Sequence, residues 1–183
     1  DILGRRLTEV VPGIAGSDFM ETLAEVARSG EAASLERYYE PLGRYFQFNA
    51  SPLGEGRIAV IFSDISSRKE TERALQAKSE ELERYFTSSL DLLCVADTGG
   101  RFLRLNPEWE KVLGYPLGEL QGQRFLDFVH PDDVEATLSA VSALKGQEQV
   151  RNFENRYRCR DGSYRWIEWR SHPQGDLIYA VAR

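Results

Sequence analysis

The feature that most constrains this chain is that it repeats itself. Asp1–Val11 matches Glu119–Val129 with Gly4 on Gly122, and Asp18–Val26 matches Asp133–Val141 with Leu23 on Leu138. Further on, Arg44–Phe48 matches Arg165–Trp169, and Ile58–Ser63 matches Ile178–Arg183. The offset stays between 115 residues (Asp18 to Asp133) and 121 (Arg44 to Arg165), so one unit with small loop changes is written twice. Because Asp1 aligns with Glu119, the stretch Leu90–Gly118 has no counterpart in the first copy.

The second copy spells the unit out. Leu92–Ala96 reads as a buried strand, Asp97–Gly100 as a hairpin turn, and the alternating Arg101–Leu105 as the return strand. Asn106-Pro107 opens a helix through Leu113, with Gly114 after its end. A short apolar turn at Phe125–Val129 precedes His130-Pro131-Asp132-Asp133, which starts a helix to about Lys145; its early acids suit the helix dipole. Three strands follow at Val150–Cys159, Tyr164–Arg170 and Leu177–Arg183, separated by Asp161-Gly162 and by Pro173–Asp176, a turn that would hold His172 at its edge. Two strands, several helices and a three-strand meander make an α+β unit, a five-stranded antiparallel sheet with helices on one face. The first copy retains a helix near Ser17–Arg28 and strands near Ala33–Glu40, Arg44–Ser51 and Arg57–Ser63. A partial unit exposes an apolar face that needs a cover, from an upstream part or from another chain; the upstream part is the expected one.

Between the copies runs a charged helix. No Gly or Pro occurs between Gly56 and Gly99, and Ser67 with Glu70 reads as a capping box. Arg68–Glu72 and Glu80–Arg84 are helical ion-pair spacings. Leu75 and Leu82 lie seven apart, with Tyr85 or Phe86 closing a thin apolar seam. The two readings are a solvated spacer and a short parallel two-stranded coiled coil that makes the chain a homodimer. The implied domains are residues 1–66, a helical linker over 67–88, and 89–183.

Composition narrows the function. The net charge is −6, and basic residues alternate with acidic ones rather than clustering, which argues against nucleic-acid binding. No apolar run reaches the roughly 18 residues of a membrane span, so no membrane contact is expected of this stretch. Cys94 and Cys159 have no metal-ligand spacing and read as reduced thiols, Cys94 as a small core residue in a cytoplasmic protein. No phosphate loop or nucleophile motif occurs, so no catalytic residue and no metal site is assigned. His130, at the mouth of a helix before Pro131, reads as a structural start rather than a haem ligand.

The order of these residues closely resembles the PAS sensor domain family. The carriers are Asp97–Arg101, Asn106–Trp109, Leu113–Tyr115, His130–Asp133 and Arg158–Trp166, with Asp64-Ile65-Ser66 ending the first copy where the family begins its outgoing signalling helix. The resemblance implies tandem PAS domains, the first truncated at its N-terminus, cut from a longer protein whose effector is a histidine kinase or a diguanylate cyclase and which can be membrane-anchored. The light-sensing relatives need a cysteine where Gly122–Leu126 has none, which argues against flavin. Trp109, Phe125, Phe128, Tyr157, Ile167 and Trp169 are the positions that would line a cavity for an unidentified small molecule, with solid core as the alternative. Trp166 and Trp169, three apart on one strand, should face opposite sides of the sheet. The rival functions are a haem- or flavin-binding sensor and a purely structural dimerisation scaffold.

Overall fold

The computed structural model describes residues 3–10, 14 and 18–183. Asp1 and Val11 of the first repeat match, and the helix start expected at Ser17, lie outside the described residues. By contacts the chain divides into two compact units, Asp1–Lys78 and Ser79–Arg183.

The first unit holds α1 (Leu7–Val10), α2 (Asp18–Ser29), β1 (Ala33–Tyr39), β2 (Arg44–Gly54), β3 (Arg57–Asp64) and the first half of α3 (Ser66–Ser88). Its sheet is antiparallel in the order β1-β2-β3. Phe19, Leu23 and Val26, at helical spacing, turn one face of α2 onto the sheet, where they bury with Ala50 and Ile14 against Phe48, Ile58 and Val60. The Phe19 and Phe48 rings lie 4.5 Å apart.

The second unit continues with β4 (Leu92–Asp97), β5 (Phe102–Leu105), α4 (Glu108–Leu113), α5 (Leu117–Leu120), α6 (Val134–Lys145), β6 (Val150–Arg158), β7 (Tyr164–Gln174) and β8 (Leu177–Ala182). The five strands are antiparallel in the order β5-β4-β8-β7-β6, and the helices lie on one face. Leu92, Cys94 and Ala96 point into the core while Leu93, Val95 and Asp97 do not, the period-two pattern of a half-buried strand. The repeat holds at the level of register: Phe48 pairs with Phe62 as Trp169 pairs with Ala182.

Two local expectations are corrected. The capping box at Ser67 does not form at the helix start, because α3 begins one residue earlier and the Asp64 carboxylate accepts the Ser66 amide at 2.9 Å. His172 is not in a turn, because β7 runs on to Gln174. Glu168 and Arg183 exchange both backbone bonds, so on β7 the amides of alternate residues face β8 and the position of Pro173 faces away. It lies past the last β6 pair, Val150 with Ser171, so its missing N–H disrupts no ladder.

Candidate functional site

Local sequence on β6 builds the site. Asn152 adopts a left-handed φ of 55° and makes a bulge, across which the pairing shifts from Arg151–Arg170 to Phe153–Trp169. Asn tolerates that conformation because its short polar side chain costs little there. Without the bulge, Val150 and Phe153 would face opposite sides; with it they sit opposite Ser171 and Trp169, on one face. Asn155 and Tyr157 continue that inward row.

Opposite this row lies α6. A 3-10 turn, Pro131–Asp133, leads into it and is capped by the His130 ring, whose Nδ1 accepts the Asp132 amide at 3.2 Å, so His130 has a structural place ahead of the helix. Asp133 accepts from the Arg156 backbone at 2.8 Å and from its guanidinium at 2.9 and 2.7 Å, tying α6 to β6. That guanidinium holds the Asp133 carboxyl below its ordinary value.

Between α6 and the sheet is a cavity of about 50 Å³, walled by Cys94, Ala96, Phe125, Thr137, Leu144, Asn155, Tyr157, Trp169, Ile178 and Ala180 and rimmed by the half-buried Ala140, Val141, Val150, Phe153 and Ser171. None of its lining side chains carries a charge at neutral pH. Its polar end is a directional chain. The Trp169 indole, a donor only, gives its N–H to Asn155 Oδ1 at 2.7 Å; Asn155 Nδ2 donates to Thr137 Oγ1 at 3.0 Å; Thr137 donates to the Asp133 carbonyl at 2.7 Å. Cys94 is in the wall, where burial pushes its thiol up to about 12, and burial likewise raises the Tyr157 hydroxyl.

Of the six positions read from sequence, Phe125, Tyr157 and Trp169 line this cavity. Trp109, Phe128 and Ile167 are buried in the core beside it. Trp109 is fully enclosed, 5.7 Å from the Trp169 ring and donating to the Leu93 carbonyl at 3.1 Å. Asn106, equally enclosed, accepts the Leu93 amide and donates to the Asp91 carbonyl, so the Asn106–Trp109 motif latches α4 to β4. Trp166 is 65% exposed, under the Arg156 guanidinium, while Trp169 is buried. Sequence reasoning missed Asn155, Thr137 and Ser171. A polar residue on the inward side of a strand was the available signal for Asn155.

The helix α3 is anchored in each unit. In the first, Asp64 is paired with Arg44 at 2.7 Å, Tyr45 donates its amide to Ser66 Oγ, and Glu36 pairs with both Arg68 and Lys69. The Ser66 hydroxyl and amide, and after them Arg44, pull the Asp64 carboxyl down to about 2. In the second, Arg104 pairs with Glu83 and lies over the Phe86 ring at 4.2 Å from its centroid. Leu75 and Leu82 are 72% and 60% exposed, Tyr85 is exposed, and Phe86 is half-buried. Among the described residues no group of three or more His, Cys, Asp or Glu is placed to hold a metal ion, and no helix is long and apolar enough to cross a membrane.

Family models described as PAS fold match residues 1–70 and residues 102–178. A solved PAS domain of an HTR-like protein from Haloarcula marismortui is 30% identical, with a TM-score of 0.56, over 63% of this chain and 98% of that one. An uncharacterized protein, y4lL of Sinorhizobium fredii, is 24% identical over 93% of this chain. A probable diguanylate cyclase, DgcE of Escherichia coli, is 27% identical over 61% of this chain. The chain spans 22% and 11% of the lengths of those two proteins.

Proposed function

We propose that this chain, which belongs to the PAS fold family, is the sensory part of a cytoplasmic signalling protein. Its two PAS-related units stand in tandem, and the second holds a small molecule. The observation that carries this is the cavity beneath α6, whose polar end, Trp169–Asn155–Thr137, runs without a break from β7 into the start of that helix. A molecule bound there changes the balance between two states only by its difference in affinity for them. A volume of about 50 Å³ favours a small metabolite over haem or a flavin.

The output path we assign is α3, paired in parallel with its twin from a second copy through Leu75, Leu82, Tyr85 and Phe86. Two observations support it: the first two leucines and Tyr85 are exposed, and the helix is fixed at its base by Asp64 and toward its end by Arg104. A seam this short pairs weakly and is easily biased, which suits a relay. An effector elsewhere in the parent protein, a histidine kinase or a diguanylate cyclase, would receive the change; the likeness to DgcE supports the latter. Native mass spectrometry of the purified protein tests the reading. The expected result is a retained small molecule, or one whose addition raises the melting temperature of the second unit. Bare polypeptide throughout, with no metabolite altering stability, overturns it in favour of a structural scaffold.

A further inference from the structure

The lining of the cavity carries chemistry beyond its capacity to hold something. We infer that it selects an uncharged molecule with a short apolar body and one hydrogen-bonding oxygen at its end, held against Asn155; this rests on the sensory reading of the second unit.

Three observations fix that class. The first is charge. Asp133, whose carbonyl ends the hydrogen-bond chain, pairs with Arg156, and neither belongs to the lining, which holds no charged side chain. A carboxylate or ammonium entering would lose its hydration with no opposite charge in the lining to meet.

The second is the unspent capacity of the polar end. Asn155 is 1% exposed, and its amide can make four hydrogen bonds. The indole of Trp169 can only donate, so it fixes Oδ1, and Thr137 fixes one hydrogen of Nδ2 because its own hydroxyl is directed to Asp133. Among the described residues these three bonds leave one N–H of Asn155, one lone pair on Oδ1 and one on Thr137 Oγ1 for a guest. A carbonyl oxygen takes the N–H; a hydroxyl takes the N–H and returns its proton to a lone pair.

The third is size and the opposite wall. About 50 Å³ is a third of the roughly 150 Å³ that hold a six-atom benzene ring, which scales to about two heavy atoms; a guest of about four is admitted only as the half-buried rim of Val141, Val150 and Phe153 yields. Away from Asn155 the walls are aliphatic and aromatic, Leu144 and Phe153 among them, and these want an apolar body.

Four probes of one shape separate the possibilities: acetone, acetamide, acetate and isobutene. Each is titrated into the whole chain while the side-chain N–H signals of Trp169 and Asn155 are followed by NMR. Acetone and acetamide should shift both signals saturably, with Kd values at least about ten-fold below that of acetate. Ala140→Leu, a rim change that fills the space, should abolish the shifts while leaving the spectrum folded. Thr137→Val keeps the volume and removes a lone pair and the relay to Asp133, and should weaken acetamide more than isobutene. If acetate binds as well as acetone, or isobutene binds as well as both, the class is wrong while the sensory reading stands. If none of the four binds and the purified protein carries nothing, both fail together.

Discussion

Ala182, on β8 of the second unit, is 1% exposed, whereas its repeat partner Phe62, on β3 of the first, is 65% exposed. Both occupy the same register position, opposite Trp169 and Phe48. The difference is the company each strand keeps. β8 lies between β7 and β4, under the residues of α4, α5 and α6 that complete the core. β3 pairs only with β2 among the described residues, and of the helices only α2 faces the sheet with several buried side chains. Hairpin sequence sets the pairing, and neighbours distant in sequence set the burial. An open edge strand also presents unpaired backbone groups, so the first unit has both less core and less protected backbone than the second.

The largest test of this contrast is Trp109→Ala. It empties the most enclosed large side chain of the second unit and should cost about 3–5 kcal/mol there. Hydrogen exchange during denaturant unfolding should show β6–β8 weakened and β1–β3 unchanged; equal weakening of both would mean the two units unfold as one.

A matched pair comes next. Ile178→Ala should cost about 2–4 kcal/mol, while Ile58→Ala, at the equivalent half-buried position of the first unit, should cost about 1 kcal/mol. The wild-type chain should already show β1–β3 amides exchanging faster than those of β6–β8. Similar losses from the two substitutions would show the first unit to be covered in solution.

A smaller effect concerns the base of α3. The Asp64 carboxyl stands at about 2 in the folded protein and near 4 when unfolded. A depressed value means stability that is fully present above about pH 4 and lost as pH falls toward 2. Amides of the first turn of α3 should therefore lose protection over that window, and Asp64→Asn should remove the pH dependence. Retention of it in the variant would assign the effect to Glu36, which Lys69 and then Arg68 also hold low.

The smallest expected effect is on the seam. Leu75→Glu with Leu82→Glu changes two exposed side chains, so the exchange of both sheets should stay as it was. Analytical ultracentrifugation should show a weak dimer becoming monomeric. Unchanged sedimentation would make α3 a spacer.

The sequence by itself determined the repeat, the strands of both meanders, the helical run now seen as α3, the structural place of His130 ahead of a helix, and the opposite facing of Trp166 and Trp169. All of these follow from periodicity and from short-range chemistry, in which a residue's partners lie within a turn or a hairpin. Half of the expected cavity wall was legible too, because large apolar side chains announce burial. They do not announce which of them border empty space, and so Trp109, Phe128 and Ile167 proved to be core. What tertiary structure alone decided depends on partners far apart in the chain. The left-handed Asn152 puts Val150 and Phe153 on one face, against the simple alternation of a strand. Asn155 is acceptable in the interior only because Trp169, 14 residues on, and Thr137, 18 residues back, use both ends of its amide. The exposure of Phe62 is likewise invisible in a stretch that reads simply as a strand, because burial belongs to the neighbours a strand finds and not to its own sequence.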